Sequence, residues 1–402
     1  MKKKAVVISP LFHGPFDLSP SIYISEEYNS GKEIATLQIN SIIEPFLIDL
    51  SQLDSSYLTF SPDNLAFYPE SHSSTPLDVF SLSASRMNIP LFVNNELFYG
   101  YVMDWLQPLN IRRKLLLYFL ADLIVDYGTV PIITSHILEP QYPKPSLFGV
   151  DKIYLINLER RSERLQKMKE ILKLLGIEYT IWKATDGSNL LSEDLYKNIS
   201  FLPGYEDPYY KRPMKTGEVG FYFIGCFLSH YRIWRDIIEN SLKRVIVFED
   251  DLRFLTNATD QLTEVLEDLD NSKMYWNFIY LGRKRLENTD EYWVPGHRHL
   301  STVGYSYWTL GYLLNFDGAK KLLNGRPLQR LLPVDEYIPI MFDKHPNETW
   351  KNTFPIRNLA AYTMYPTIVV PERYTNEEGY ISDTEASEIE IIGFVNSGKD
   401  EL

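Results

Sequence analysis

Apolar and polar positions change rhythm along the chain. From residue 1 to about 95, the short apolar runs "AVVISPLF", "SIYIS", "PFLIDL" and "YLTF" are separated by Pro, Ser and Asp clusters, which predicts short strands joined by turns. Residues 111–126, "IRRKLLLYFLADLIVD", repeat apolar positions at helical spacing and predict a helix. Residues 138–149, "LEPQYPKPSLFG", hold three prolines and suit a linker. Next come a buried-type strand, "KIYLINL", and an amphipathic helix, "RRSERLQKMKEILKLLG", closed by Gly176. A second strand, "IEYTIWKATDG", ends in a polar turn. The helix "GCFLSHYRIWRDIIENSL" leads into the strand "RVIVFEDD", followed by the helix "ATDQLTEVLEDLD", the strand "NFIYLG", the cluster "YSYWTLGYLL" and the helix "DGAKKLLNG". Strands alternating with helices predict a mostly parallel α/β sheet with helices on both faces. Such sheets take ligands beyond the carboxyl ends of their strands.

With 402 residues, two domains are the default expectation. The expected division is 1–140, a linker at 141–150, a second domain at 151–390 and a tail at 391–402. A net charge of −13 disfavours nucleic acid or an anionic membrane as partner. Cys226 is the single cysteine, so no disulfide can form within the chain. The terminal "KDEL", residues 399–402, reads as a retrieval address for the endoplasmic-reticulum lumen, although "MKKKAVVISPLFHGPF" is too short in its apolar part for a convincing signal peptide. Sequons at Asn198, Asn257 and Asn347 suit a lumenal protein.

The stretch "VIVFEDD" carries the most chemistry. Its strand is apolar on both faces, as a central parallel strand is, and three acids follow. Side chains two apart on an extended chain face the same way, so Glu249 and Asp251 converge while Asp250 points across. Two hard oxygen donors there suit Mg²⁺ or Mn²⁺, which would neutralise a diphosphate. The plainer alternative is that the acids solvate a strand end or cap the next helix.

These residues stand inside a longer pattern. The segments "KIYLINLERRSERLQKM", "LPGYEDPYYKRPMKTGEVG", "GCFLSHYRIWRDII", "VIVFEDDLRF", "FIYLGRKRL", "YSYWTLGYLL", "LLPVDEYIPIMFDKHPNE" and "GYISDTE" occur in an order and spacing that resemble glycosyltransferase family 25, in particular the catalytic domain of its procollagen galactosyltransferase branch. Residues 38–105 resemble the end of the first, glycosyltransferase-like domain of those enzymes, here cut short. The resemblance implies a glycosyltransferase-A-type fold. It also implies UDP-galactose as donor, Mn²⁺ as cofactor, hydroxylysine of collagen or collagen-like chains as acceptor, and transfer with inversion in the endoplasmic-reticulum lumen. A homodimer is a further expectation. Inversion in one displacement needs a base for the acceptor hydroxyl and a stabilised leaving group.

Roles follow from this implication. Glu249 and Asp251 are expected to hold the metal, and Asp250 to touch the donor's ribose or sugar. Asn157, Arg160 and Arg161 in "NLERR" are donor-binding candidates, an Arg gripping a phosphate with two bonds; an ordinary helix start explains them equally. Asp186 in "ATDG" is a candidate for the uracil or ribose, or simply part of an Asp-Gly turn. Glu218, Ser229 and His230 are further donor-site candidates, the alternative being a buried His satisfied by neighbours. Asp335 and Glu336 in "PVDEY" are candidates for the catalytic base, Asp335 preferred, although acids at a helix start also answer its dipole. Asp383 and Glu385 in "SDTE" would complete the metal shell or position the acceptor. Two departures from the family pattern stand out. The extra "FYFIG", residues 221–225, is expected to shift helix register between Glu218 and His230, and Arg373 stands where relatives often have His. They favour a rival reading, a non-catalytic homologue used as a binding or adhesion module. A third reading is a related sugar transferase with another donor or acceptor.

Overall fold

The structure, a computed structural model, describes residues 5–11, 25, 28, 33–65, 75–96, 99, 108–128, 142–187, 190, 199–203, 218–287 and 290–374. The chain forms two compact units, Met1–Leu116 and Leu117–Leu402.

The first unit holds a four-stranded sheet of β1 (Val7–Pro10), β2 (Thr36–Ile39), β3 (Leu47–Ile48) and β4 (Leu91–Asn94) in the order β2-β4-β1-β3. Strands β1 and β4 are parallel, with antiparallel neighbours on either side. Helix α1 (Pro76–Arg86), capped by the Thr75 side chain, contributes Phe80 and Ala84 to a core with Val7, Leu91 and Val93. "AVVISPLF" and "PFLIDL" contain β1 and β3. "YLTF" forms no strand; a 3₁₀ turn at Leu53–Tyr57 ends on its first residue. "SIYIS" lies almost wholly outside the described residues. The helix expected at 111–126 is α2 (Leu109–Tyr127), and its buried residues Tyr118, Ala121, Ile124 and Val125 belong to the core of the second unit.

The second unit is built on seven strands: β5 (Lys152–Asn157), β6 (Thr180–Lys183), β7 (Arg244–Phe248), β9 (Phe278–Arg285), β10 (Leu300–Thr302), β11 (Ser306–Asn315) and β12 (Ala361–Met364). Their order is β10-β12-β9-β11-β7-β5-β6. Strands β6, β5, β7, β9 and β12 run one way, and β11 and β10 run against them. The sheet is therefore largely parallel, with one reversed strand inserted beside β7. A small ribbon pairs β8 (Leu252–Phe254) with β13 (Val369–Pro371).

Helices cover both faces, and strand periodicity explains why. Ile153, Leu155, Ile246 and Phe248 enter one buried cluster with Met168 and Leu172 of α3 (Ser162–Leu175) and Leu262 and Leu266 of α5 (Ala258–Asn271). Their neighbours Tyr154, Val245 and Val247 enter the other with Phe227 and Trp234 of α4 (Glu218–Glu239), Leu322 of α6 (Phe316–Asn324) and Tyr337 of α7 (Val334–Met341). A strand buried on both sides must be apolar at every position, as "VIVF" is. Each such large side chain contributes about 1.5–3 kcal/mol on burial. Gly176 closes α3 in the left-handed conformation at φ 66°, as expected from its place after the helix. Among the described residues no helix is long and apolar enough to cross a membrane.

Candidate functional site

The acids of "FEDD" emerge where β7 ends. The Glu249 backbone N–H donates to the Leu310 carbonyl at 2.9 Å, which ties the strand end to β11. Glu249 Oε1 accepts from Thr309 Oγ1 at 2.5 Å and lies 3.1 Å from His230 Nε2. His230 Nδ1 is 2.9 Å from the Tyr312 hydroxyl, and that oxygen accepts from the indole N–H of Trp234 at 3.3 Å. A carboxylate only accepts, so in the neutral ring the Nε2 position carries the proton and Nδ1 accepts from Tyr312. Donors thus point along the chain Trp234, Tyr312, His230, Glu249. Burial opposes the Glu249 charge, but the bonds from His230 and Thr309 and the nearby Arg164 outweigh it and hold the carboxyl below its usual value.

The next two acids behave in the opposite sense. Burial pushes Asp250 up to about 6 and Asp251 up to about 7, the latter with further repulsion from Glu249. Asp250 accepts from Asn157 Nδ2 at 2.5 Å, and Asn157 also donates to the Arg161 carbonyl at 3.1 Å. Arg164 NH1 lies 3.5 Å from Asp250 Oδ1 and 3.2 Å from Asp251 Oδ2, bridging the pair. One turn further along α3, Lys167 pairs with Glu372, whose backbone N–H donates to the Asp251 carbonyl at 2.7 Å. Among the described residues, four carboxylates, Glu249, Asp250, Asp251 and Glu372, meet two cations, Arg164 and Lys167, a balance of two negative charges when all are ionised. Asp251 Oδ1 is buried and has no hydrogen-bond partner among the described residues. A buried orphan oxygen beside excess negative charge suits a hard divalent cation at Asp251. The contacts do not show the expected pairing of Glu249 with Asp251: Glu249 turns to His230 and Thr309, and Arg164 joins Asp251 to Asp250 instead.

The other expected residues fall in several places. Arg160 Nε lies 3.3 Å from Asp186 Oδ2, so "NLERR" and "ATDG" meet beyond the parallel strands β5 and β6. Arg161 pairs with Glu163 at 3.6 Å at the start of α3. Ser229 Oγ accepts from the Thr185 N–H at 2.9 Å and donates to the Gly225 carbonyl at 2.7 Å, so this hydroxyl fastens α4 to the turn after β6. A Cβ on Gly225 would lie 2.5 Å from the Thr185 oxygen, so glycine is what allows this approach. Residues of the extra "FYFIG" lie within one continuous helix that also carries Ser229 and His230. The Glu218 side chain, Asp383, Glu385 and "KDEL" lie outside the described residues.

Asp335 and Glu336 sit in the first turn of α7, Asp335 half-buried. Glu336 is fully buried and takes donors from Tyr305 at 2.8 Å, from Tyr307, and from His345 Nε2 at 2.8 Å. This corrects the expectation for Glu336. A carboxylate closed off by three donors holds the loop after β10 and the segment around His345 in place, and cannot reach a bound hydroxyl. Arg373, which stands where relatives often have His, pairs with Asp126 of α2 at 3.0 Å, and Asp126 also binds Arg253. Sequence reasoning missed Arg164, Lys167 and Glu372. The i, i+3 spacing of Arg164 and Lys167 on a helix that follows the first strand was a visible signal. The approach of Glu372 depends on the β8–β13 ribbon and left none.

Known proteins resemble this chain over the segment that holds most of these residues. Residues 150–338 match the family model described as glycosyltransferase family 25 (LPS biosynthesis protein). A glycosyltransferase 25 family member from Aedes aegypti is 43% identical over 351 residues, 85% of this chain and 56% of that protein. Procollagen galactosyltransferase 1-A from Xenopus laevis is 39% identical over 350 residues, 85% of this chain and 55% of that protein. A Bos taurus relative named probable inactive glycosyltransferase 25 family member 3 is 39% identical over 331 residues, 80% of this chain and 54% of that protein. The chain thus spans little more than half the length of these three relatives.

Proposed function

Residues 150–338 belong to glycosyltransferase family 25, and on that premise we propose that this chain transfers galactose from UDP-galactose to hydroxylysine of collagen or collagen-like polypeptides. The reaction inverts the anomeric centre, depends on Mn²⁺ and takes place in the endoplasmic-reticulum lumen, where "KDEL" would return the protein. Residues 151–390 would be the catalytic domain and 1–140 part of a preceding glycosyltransferase-like domain. The observation that carries this reading is the acidic strand end: excess negative charge and the buried, unpartnered Asp251 Oδ1, beyond a central parallel strand.

Glu249 and Asp251 would hold the cation, which when bound neutralises charge on the diphosphate leaving group. The remaining work belongs to the chain's own groups. Thr309 and His230 keep Glu249 ionised and aimed, so this donor needs no rearrangement. Arg164, on Asp250 and Asp251, supplies a second positive centre and is suited to grip a phosphate oxygen of the donor. Asn157 and Asp250 form a linked pair suited to ribose hydroxyls. Asp335 is the base, taking the acceptor hydroxyl's proton as that oxygen attacks.

A second reading, a non-catalytic binding module, is favoured by Arg164 bridging Asp250 and Asp251 and by the relative named as probable inactive. Turnover of UDP-galactose on a hydroxylysine peptide, with and without Mn²⁺, separates the two. Mn²⁺-dependent transfer that Asp335→Asn abolishes supports the enzyme, as does loss of Mn²⁺-dependent donor binding in Asp251→Ala. No turnover by well-folded protein overturns it in favour of the module.

A further inference from the structure

One turn of α4 before His230 stands Cys226, the single cysteine in the chain. Its sulfur, a His230 ring nitrogen and a Glu249 oxygen all lie within 4.8 Å of one another. His230 is buried, while Cys226 and Glu249 retain partial exposure, so the group can be reached from outside. A thiolate, an imidazole and a carboxylate make a donor set different from the all-oxygen set of Glu249 and Asp251. Thiolate and imidazole select Zn²⁺ or other softer ions, and Mn²⁺ stands lowest among the first-row divalent ions for such donors.

We propose that Cys226, His230 and Glu249 form a second cation site, one that takes Zn²⁺ with an open fourth position. Zinc bonds of about 2.0–2.3 Å set tetrahedral ligands roughly 3.3–3.8 Å apart. His230 and Glu249, at 3.1 Å, are already that close. Cys226 needs to approach by about an ångström, within reach of rotation about its Cα–Cβ bond, because residues four apart share one helix face. Binding replaces the thiol proton, which leaves to solvent. The imidazole proton moves from Nε2 to Nδ1, where the Tyr312 oxygen, 2.9 Å away, accepts it. That hydroxyl orients the ring in either tautomer, the kind of outer contact that metal-bound histidines use.

Because Glu249 belongs to both donor sets, Zn²⁺ here removes a ligand from the hard-cation site. Zinc inhibition competitive with Mn²⁺ follows, a consequence that rests on the transferase reading. The site itself does not, and the test is chosen accordingly. Alkylation of Cys226 by iodoacetamide is followed in the full chain, without UDP-sugar, in the presence of Zn²⁺, Mn²⁺ or chelator. With one thiol in the protein, every thiol alkylation, read by peptide mass, reports on this position. Zn²⁺ is expected to slow the reaction at least tenfold and Mn²⁺ to leave it unchanged, while Glu249→Gln and His230→Gln each restore the chelator rate. An unchanged rate with Zn²⁺, equal protection by Mn²⁺, or full protection in Glu249→Gln overturns the proposal. Should His230→Gln fail to fold by circular dichroism, Glu249→Gln decides. Failure here leaves galactose transfer standing, and protection without transfer leaves the zinc site standing.

Discussion

Asp250 carries a charge that its surroundings oppose. Its side chain is 11% exposed, and burial pushes the carboxyl up to about 6 from an ordinary 3.8. A raised carboxyl means that the folded protein holds the proton more tightly than the unfolded chain does. The associated stability is complete below the unfolded value and is lost as pH rises through about 6. Roughly two units at about 1.36 kcal/mol each amount to a cost of about 3 kcal/mol at pH 8. At pH 5 the folded group is still mostly protonated, and the cost is about 1.5 kcal/mol. Asp250→Asn keeps the shape and removes the charge. It is expected to raise the unfolding free energy of the metal-free protein by about 3 kcal/mol at pH 8 and half as much at pH 5. Urea denaturation of parent and variant, followed by tryptophan fluorescence at each pH, reads this difference. A gain that does not grow with pH, or a net loss at pH 8, would refute the idea that this acid is held against its solvation preference for the sake of a ligand.

Further outcomes follow from other contacts. Arg164→Gln leaves Asp250 and Asp251 without their bridging cation, so it is expected to lower the melting temperature of metal-free protein. Calorimetry should also find UDP binding about tenfold weaker, the worth of one charge-assisted phosphate contact of about 1.5 kcal/mol. In Gly225→Ala the new carbon would stand 2.5 Å from the Thr185 oxygen and 2.8 Å from the Gly187 nitrogen, both backbone atoms. Such overpacking costs about 1–3 kcal/mol, visible in thermal melting; an unshifted melt would show that α4 can slide. Glu336→Gln replaces an acceptor of three bonds with a group that itself donates. A loss of about 2–3 kcal/mol is expected from the buried donors left unmatched, and a variant as stable as the parent would mean that Tyr305, Tyr307 and His345 have other partners.

Most of the second unit could be read from its residues. "KIYLINL" and "RVIVF" are apolar at consecutive positions because both faces of a central strand are covered, and Ile153 and Tyr154, Ile246 and Val247 do divide between the two helical layers. The first unit was harder. Its strands are two to four residues long, too short for alternation to register, and "YLTF" has strand composition yet forms no strand. Asn157 and Asp250, 93 positions apart, were each singled out from the sequence, but nothing local said that they touch.

In the second unit, local pattern pointed to the central strands, the helices beside them and the polar strand end, because periodicity and caps act over a few positions. Tertiary structure alone decided the electrostatics. Glu249 and Asp251 are near neighbours of the same chemical type in one short run, yet the first is held charged by donors from α4 and β11 while burial favours the proton on the second. Glu336 looked as available as Asp335 until three donors from distant segments closed around it. Ionisation depends on the water removed and the charges brought near, and both are set by chain segments far away in sequence.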